Sequence, residues 1–332
     1  MVVGNWLEVL NTCNLSSDRK MDPLSRWLII TRACVFNITV FAWLIGTLLA
    51  AADGPVAWVP SIAALLGLVI AHAANNMIND YFDLSSGVDS AEYPRALYSP
   101  HPVLGGLISR TGLRNAIFTT NALDLAILVY LTTLRGPGVV GFALAGLFIS
   151  VFYVAPPLRL KHRGMGEFSV FIVWGPLMVG GTYFVSAGAV SANAILCSLP
   201  YAFLIMTALV GKHVDKLPDD RARGIRTLPV LLGGERSLAL NRALMIGFYV
   251  LTLALVLTGY LGAWVLLIFL SIPRLLKVLK TYASPRPDAP PEGFPLWPLW
   301  YVAWAFHLTR LAGGLLVLGM LLNVIYPITL PF

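Results

Sequence analysis

Apolar runs long enough to cross a membrane recur along almost the whole chain, and nothing else in the sequence narrows its fold as far. About 20 apolar residues in a helix span the ~30 Å hydrocarbon core of a bilayer. Such stretches predict nine helices, over 27–50, 57–80, 112–134, 138–156, 167–187, 191–212, 236–259, 262–281 and 297–325. The expected fold is an all-α membrane bundle, with 1–26 as a cytoplasmic, partly amphipathic lead-in and 27–332 as a single transmembrane domain. Of the 332 residues, 58% are hydrophobic and 12% charged, and the mean hydropathy of +0.77 excludes a soluble globular protein.

Basic residues set the orientation, because cytoplasmic loops retain Lys and Arg. Nearly all of the 23 lie in the N-terminal segment or beside the loops that follow even-numbered helices. The opposite loops offer only Arg135. The N-terminus is therefore expected inside and the C-terminus outside. The net charge of +7 is this asymmetry, so a nucleic-acid partner is not expected. Cys13, Cys34 and Cys197 are an odd number, two of them within apolar runs, and predict neither a disulfide framework nor a metal site. The first 26 residues lack the order of a signal peptide.

Polar chemistry gathers at two helix ends. The first, Ala73 to Asp89, reads AANNMINDYFDLSSGVD. In a helix Asn76, Asp80 and Asp83 fall at i, i+4 and i+7, and Asn79 lies four before Asp83, so their oxygens crowd one face and suit a hard cation. The second, His213-Val-Asp215-Lys-Leu-Pro-Asp219-Asp220, ends another apolar run, and Pro218 is expected to stop that helix by Leu217.

Cations accompany both clusters. A connection from Tyr81 to Arg110, with Glu92, Arg95 and His101, is long for a bundle and is expected to cap the first cluster. The segment after the fourth helix carries Tyr153, Pro156, Pro157, Arg159, Lys161 and Arg163 on the same side. Arg32 is expected one turn inside the first helix, snorkelling to the interface. Arg310 lies deep enough in the last helix to demand the bundle interior. A faint repeat, Pro102 to Ser109 and Pro229 to Ser237, follows each acidic cluster and suggests two related units facing one another.

Two carboxylate clusters with Lys and Arg beside them suit a diphosphate held through Mg²⁺, which takes few protein carboxylates and completes its octahedron with water and phosphate oxygens. The apolar bundle beneath accepts a hydrocarbon chain, so the substrate implied is a polyprenyl diphosphate. Diphosphate departure leaves an allylic cation that water destroys, which requires a dry chamber. Trp174, Tyr183, Trp300 and Trp304 are candidate walls, since aromatic faces tolerate positive charge.

The chain resembles the UbiA superfamily of intramembrane prenyltransferases, and within it the 1,4-dihydroxy-2-naphthoate polyprenyltransferase group of menaquinone synthesis. The likeness rests on Asn79-Asp80-Tyr-Phe-Asp83-Leu-Ser-Ser-Gly87-Val-Asp89, on Tyr153 to Lys161 with Gly164 and Glu167, on Trp174-Gly175-Pro176 to Gly181-Thr182-Tyr183, and on Asp220 to Thr227. It covers about 26–240. Arg32 falls where the family has Arg-Pro, with Ala33 in place of the proline. The resemblance implies a nine-helix bundle, Mg²⁺ dependence and prenylation of an aromatic acceptor. By position, Asn79, Asp80, Asp83 and Asp89 would bind the first metal and diphosphate, and Asp215, Asp219 and Asp220 the second. Tyr153 and Lys161 would contact diphosphate. Arg32, Arg95, Arg163 and Arg226 are further substrate-binding candidates. Catalysis is expected to centre on Asn79, Asp83, Asp215 and Asp220.

One departure stands out. With Asp220 to Thr227 aligned, the partner aspartate of the second motif is displaced by one residue and Lys216 takes its place. Either Asp215 compensates through a local kink, or acceptor binding differs. A terpene cyclase of the same fold and a secondary transporter are the alternative readings. The second places its sites at the midplane rather than at one face.

Overall fold

The structure is a computed structural model that describes residues 2–294 and 296–328; Pro295 of the proline-rich connector and the C-terminus, expected outside, lie outside the described residues. The chain is helical throughout. Among the described residues the only β pairing is an isolated parallel bridge between Arg163 and Arg226.

Two short helices, α1 (Val2–Thr12) and α2 (Pro23–Ile30), precede the bundle. Pro23 pre-sets the first turn of α2, and Asp22 caps it by accepting from the backbone N–H of Leu24 (3.1 Å) and Ser25 (3.0 Å). The indole of Trp6 donates to the same carboxylate (3.0 Å) and ties α1 to that cap.

The expected first span, 27–50, does not run through. Arg32 adopts a left-handed conformation (φ 53°), ending α2 and restarting the chain as a 3₁₀ turn (Ala33–Val35) and α3 (Phe36–Asp53). Arg32 therefore does not snorkel; the break drops its guanidinium onto buried Asp80 of the next helix. The cysteine expectation is also corrected. Cys13 and Cys34 form a disulfide, with Cα atoms 5.2 Å apart, that pins the α1–α2 connection to this break.

The chain continues as α4 (Trp58–Ser85), α5 (Pro94–Tyr98), α6 (Arg110–Arg135), α7 (Gly138–Phe152), α8 (Gly166–Ile172), a π turn around Pro176 (Val173–Leu177) and α9 (Met178–Ala187). Then follow α10 (Ala192–Asp215), α11 (Leu217–Ala222), α12 (Leu228–Leu232), α13 (Gly234–Leu257), a 3₁₀ stretch (Ala263–Ser271), α14 (Ile272–Tyr282) and α15 (Trp300–Ile325). Among the described residues seven helices are long and apolar enough to cross a membrane: Ala33–Asp53, Trp58–Ser85, Arg110–Arg135, Gly166–Ala187, Ala192–Asp215, Gly234–Leu257 and Trp300–Ile325. Of the other two expected spans, α7 has only 15 residues, and 262–281 divides at Pro273, which lacks the N–H that would carry an α-helix across the junction. Both members of the sequence repeat lead directly into long helices, α6 and α13.

The main core joins α3, α9, α10, α13 and α15 around Tyr201, Leu204, Phe248, Val265 and Leu308. Close approach depends on glycine. A side chain at Gly46 would stand 2.5 Å from the Val179 carbonyl, and one at Gly211 2.7 Å from the Tyr282 hydroxyl and 3.1 Å from the Tyr301 backbone. Gly211 thereby sets the end of α10 against the start of α15. There Asp215 accepts from the backbone N–H of Tyr301 (2.9 Å) and Val302 (3.0 Å), orphan donors in the first turn of α15. Asp215 was expected to bind metal; both its oxygens are instead spent on this cap.

Asp215→Ala is expected to destabilise the detergent-solubilised protein by about 1–2 kcal/mol, as loss of a helix cap does, with Asp215→Asn recovering part of the loss. An unchanged melting midpoint in Asp215→Ala would contradict this role.

Candidate functional site

The helix α4 runs two turns past the apolar stretch before it ends, and its polar residues divide between two tasks. Asn76 donates to the Thr31 carbonyl (3.0 Å) and Asp80 is fully buried, so this pair faces the break after α2. Arg95 of α5 clamps Asp80 through Nε (3.0 Å) and Nη2 (2.9 Å), and Arg32 completes the cluster. Asp80 was expected to bind metal, and Arg32 and Arg95 substrate; the structure pairs them with one another. Asp80, Asp89 and His101 do bring ligand-type atoms within 4.8 Å, but two guanidinium groups already neutralise Asp80.

Asn79 and Asp83 face the other way, into a polar recess. Lys161 places Nζ 2.5 Å from Asp83 Oδ2, and its own backbone N–H donates to the Tyr153 carbonyl (2.9 Å), which fixes that segment beneath α4. His162 Nε2 stands 3.9 Å from the other Asp83 oxygen. Asp89, on the loop after α4, is buried with Oδ2 3.3 Å from His101 Nε2. Its Oδ1 is buried with no hydrogen-bond partner among the described residues.

The second cluster meets the same recess through Lys216, which lines it and pairs with Asp220. Asp220 is buried, and its Oδ1 accepts from the Tyr93 hydroxyl (2.5 Å) and lies 3.5 Å from Lys216 Nζ. Tyr93 packs with Val88 and Ile225, so the loops that follow the two clusters share one apolar contact. Lys216 (4.4 Å) and Arg223 (4.5 Å) both lie over its ring. Burial, then the charges of Asp220, Asp83 and Asp89, push the Tyr93 phenol well above its ordinary range, so it remains a donor. Asp219 was expected at the metal site. It stands at the rim, 3.8 Å from Arg223, with its side chain 38% exposed.

Arg163 and Arg226 are not brought to the recess. Both are exposed, joined by the backbone bridge between their strands of chain, and Arg163 donates to the Pro157 carbonyl (3.0 Å). Among the proposed walls only Trp174 lines the chamber. Tyr183 hydrogen-bonds Asp53 (2.5 Å), and Trp300 and Trp304 pack edge to face (5.9 Å).

Below the recess lies an apolar cavity of about 660 Å³, lined by such residues as Leu68, Leu128, Leu147, Trp174 and Met178. Arg32, Asn79, Tyr98, Tyr153 and Lys212 line both spaces, so the polar recess opens directly into the cavity. Arg310 also lines the cavity, within 3.5 Å of the Cys34 carbonyl.

Sequence reasoning missed Tyr93, Tyr98, Lys212 and the role of Lys216. The available signal was the pairing of aromatics with cations in the long connection and the lysines where the second motif departs from its usual form. Tyr98 is buried, which disfavours its phenolate, but Lys212, Arg32 and Arg95 together outweigh burial and pull the phenol down to about 8.

Comparison with known proteins points to one family. The UbiA prenyltransferase family profile matches residues 39–300. The 1,4-dihydroxy-2-naphthoate octaprenyltransferase of Bacillus subtilis (strain 168) is 26% identical over 77% of this chain and 81% of its own. The 2-carboxy-1,4-naphthoquinone phytyltransferase of Synechocystis is 27% identical over 65% of this chain and 68% of its own. Among solved structures, a UbiA homolog from Aeropyrum pernix K1 superposes with a TM-score of 0.65 at 18% identity, covering 87% of this chain and 98% of that one. A UbiA homolog from Archaeoglobus fulgidus bound to GPP and Mg²⁺ gives 0.56 at 17% identity, covering 88% and 99%. At these identities the structures share the fold.

Ultraviolet titration, compared with Tyr98→Phe, should reveal one phenol ionising near 8, where tyrosine ordinarily titrates at about 10. Because the folded pKa is depressed, the linked stability is fully present above about 10 and is lost as pH falls through about 8. A difference titration with no transition below about 10 would contradict the arrangement of cations around Tyr98.

Proposed function

The chain belongs to the UbiA prenyltransferase family and is a multi-pass membrane prenyltransferase, and from that premise we propose that it transfers a polyprenyl group from polyprenyl diphosphate to an aromatic acceptor, 1,4-dihydroxy-2-naphthoate or a near relative, in lipid quinone synthesis. One observation carries the reading: a recess built from Asn79, Asp83, Lys161 and Tyr153 opens into an apolar cavity of about 660 Å³. A charged head and a hydrocarbon tail each meet the surface they need. The names of the Bacillus and Synechocystis relatives support the naphthoate acceptor, and the Archaeoglobus homolog bound to GPP and Mg²⁺ supports a diphosphate donor and a divalent ion.

The first cluster fits Mg²⁺. The unpartnered buried Oδ1 of Asp89, the Asp83 carboxylate and the Asn79 side chain in the recess are the hard oxygen donors such an ion takes. Bound there, magnesium would neutralise charge on the departing diphosphate. Lys161, now on Asp83, is placed to pair with a phosphate oxygen, and the Tyr153 side chain lies alongside in the recess lining. In the reaction the bond between the allylic carbon and diphosphate breaks, and its electron pair leaves with the diphosphate. A ring carbon ortho or ipso to the acceptor carboxylate attacks, and a proton or CO₂ is lost. The apolar wall excludes water from the allylic cation.

The mouth is taken to face the cytoplasm at the cell membrane, with 1–26 cytoplasmic and 27–332 a single domain whose nine spans include α7 and the segment 262–281. The basic loops beside the acidic clusters support this orientation.

Purified protein incubated with Mg²⁺, a series of prenyl diphosphates and a panel of aromatic acids should yield a prenylated aromatic product by mass spectrometry. A cyclic hydrocarbon formed without acceptor, or no diphosphate release at all, would contradict the proposal. Asp83→Ala and Asp220→Ala are each expected to abolish turnover while leaving the protein folded in detergent. Lys161→Ala is expected to raise the KM for the prenyl donor by about 30-fold or more, the scale of the ~2 kcal/mol or more lost with a buried charge partner; an unchanged KM would remove Lys161 from the donor site.

A further inference from the structure

The three aspartates of the second cluster do not make a metal site. Asp215 spends both oxygens on the start of α15, and Asp219 lies at the rim beside Arg223. Asp220 is buried, with Oδ1 already held by Tyr93 and Lys216, and of this motif it is Lys216 that lines the recess. The ammonium of Lys216 stands on the Oδ1 side of Asp220 and leaves Oδ2 alone for an ion. It is held away from solvent, because the residue is buried (5% exposed) and the ammonium itself lies over the Tyr93 ring.

One turn earlier on α10, Lys212 also lines the recess and makes no ion pair among the described residues. The recess is thus lined by Arg32, Arg95, Lys161, Lys212 and Lys216 against Asp83 and Asp89. With Arg32 and Arg95 committed to Asp80 and Lys161 to Asp83, the end of α10 holds Lys212, without a carboxylate partner among the described residues, and one turn on Lys216, which shares Asp220 Oδ1 with Tyr93. A divalent cation there would be repelled by two neighbouring ammonium groups and offered one free carboxylate oxygen. A diphosphate there would meet two ammonium groups, each a compact charge with rotatable donors.

We propose that Lys216, with Lys212, takes the place of a second metal ion in this chain, so that the diphosphate is gripped by one divalent ion on the Asp83–Asp89 side and by these two ammonium groups on the Asp220 side. This rests on the reading of the recess as a prenyl diphosphate site. It answers the departure noted in the sequence: Lys216 replaces the missing carboxylate by replacing the ion that carboxylate would hold.

The test counts metal. Full-length protein in detergent is saturated with geranyl S-thiolodiphosphate, an unreactive donor analogue, and titrated with Mn²⁺ while free and bound ion are separated by electron paramagnetic resonance. Wild-type protein is expected to bind one Mn²⁺ per chain with no spin coupling. Lys216→Asp, if it folds, should gain a second, coupled Mn²⁺. Lys216→Met, which keeps an unbranched apolar side chain of similar length, should keep one Mn²⁺ and bind the analogue more weakly by about 30-fold or more. Two coupled Mn²⁺ in the wild-type protein, or analogue affinity unmoved in Lys216→Met, overturns the proposal and leaves the donor site standing. Failure of the analogue to bind wild-type protein at any Mn²⁺ concentration overturns both.

Discussion

A fully buried carboxylate gripped by two guanidinium groups is the constraint on which the mouth of this bundle depends. Asp80 has no access to solvent and is neutralised by Arg32, from the broken end of the first span, and by Arg95, from the loop helix over the mouth. Removing one partner from such a cluster costs on the order of 3–5 kcal/mol, because it strands a charge in a low dielectric. Three distant pieces of chain are therefore held in register by one side chain. The Cys13–Cys34 disulfide ties the N-terminal helices to the same break.

That clamp explains how adjacent residues serve opposite purposes. Asp80 and Asp83 are three apart on α4, yet one anchors the loop and the other faces Lys161 in the recess. With Arg95 fixed, the preceding Tyr93 reaches Asp220, and the two acidic clusters meet across its ring. The packing at Gly211 and the cap by Asp215 hold the end of α10 where Lys212 and Lys216 can line the recess.

Much of this was legible in the chain, for identifiable reasons. The apolar runs and the Asn79–Asp83 spacing follow from helical periodicity, which is local information, and the Tyr153–Lys161 segment showed itself by its charge and paired prolines. What stayed hidden depended on distant partners. Nothing between Thr31 and Ala33 is a glycine or proline, so the break at Arg32 had no local signal; it exists because Asp80 lies 48 positions later. Asp215 looked like any other acid in a cluster, and its partners are backbone donors 86 and 87 positions away. Lys216 was visible as a departure from the motif, but its meaning required the ring of Tyr93, placed by a loop whose path periodicity does not describe.

The central claim is that Asp83 at the end of α4 and Lys216 just after α10 close on one diphosphate at the entrance to the apolar cavity. Cryo-electron microscopy of the protein with Mg²⁺ and a prenyl S-thiolodiphosphate tests it most directly. Head-group density between Asp83 and Lys216, with the chain running past Trp174, is the predicted result. Density for the head group outside the recess, or a chain lying elsewhere than the cavity, would contradict it.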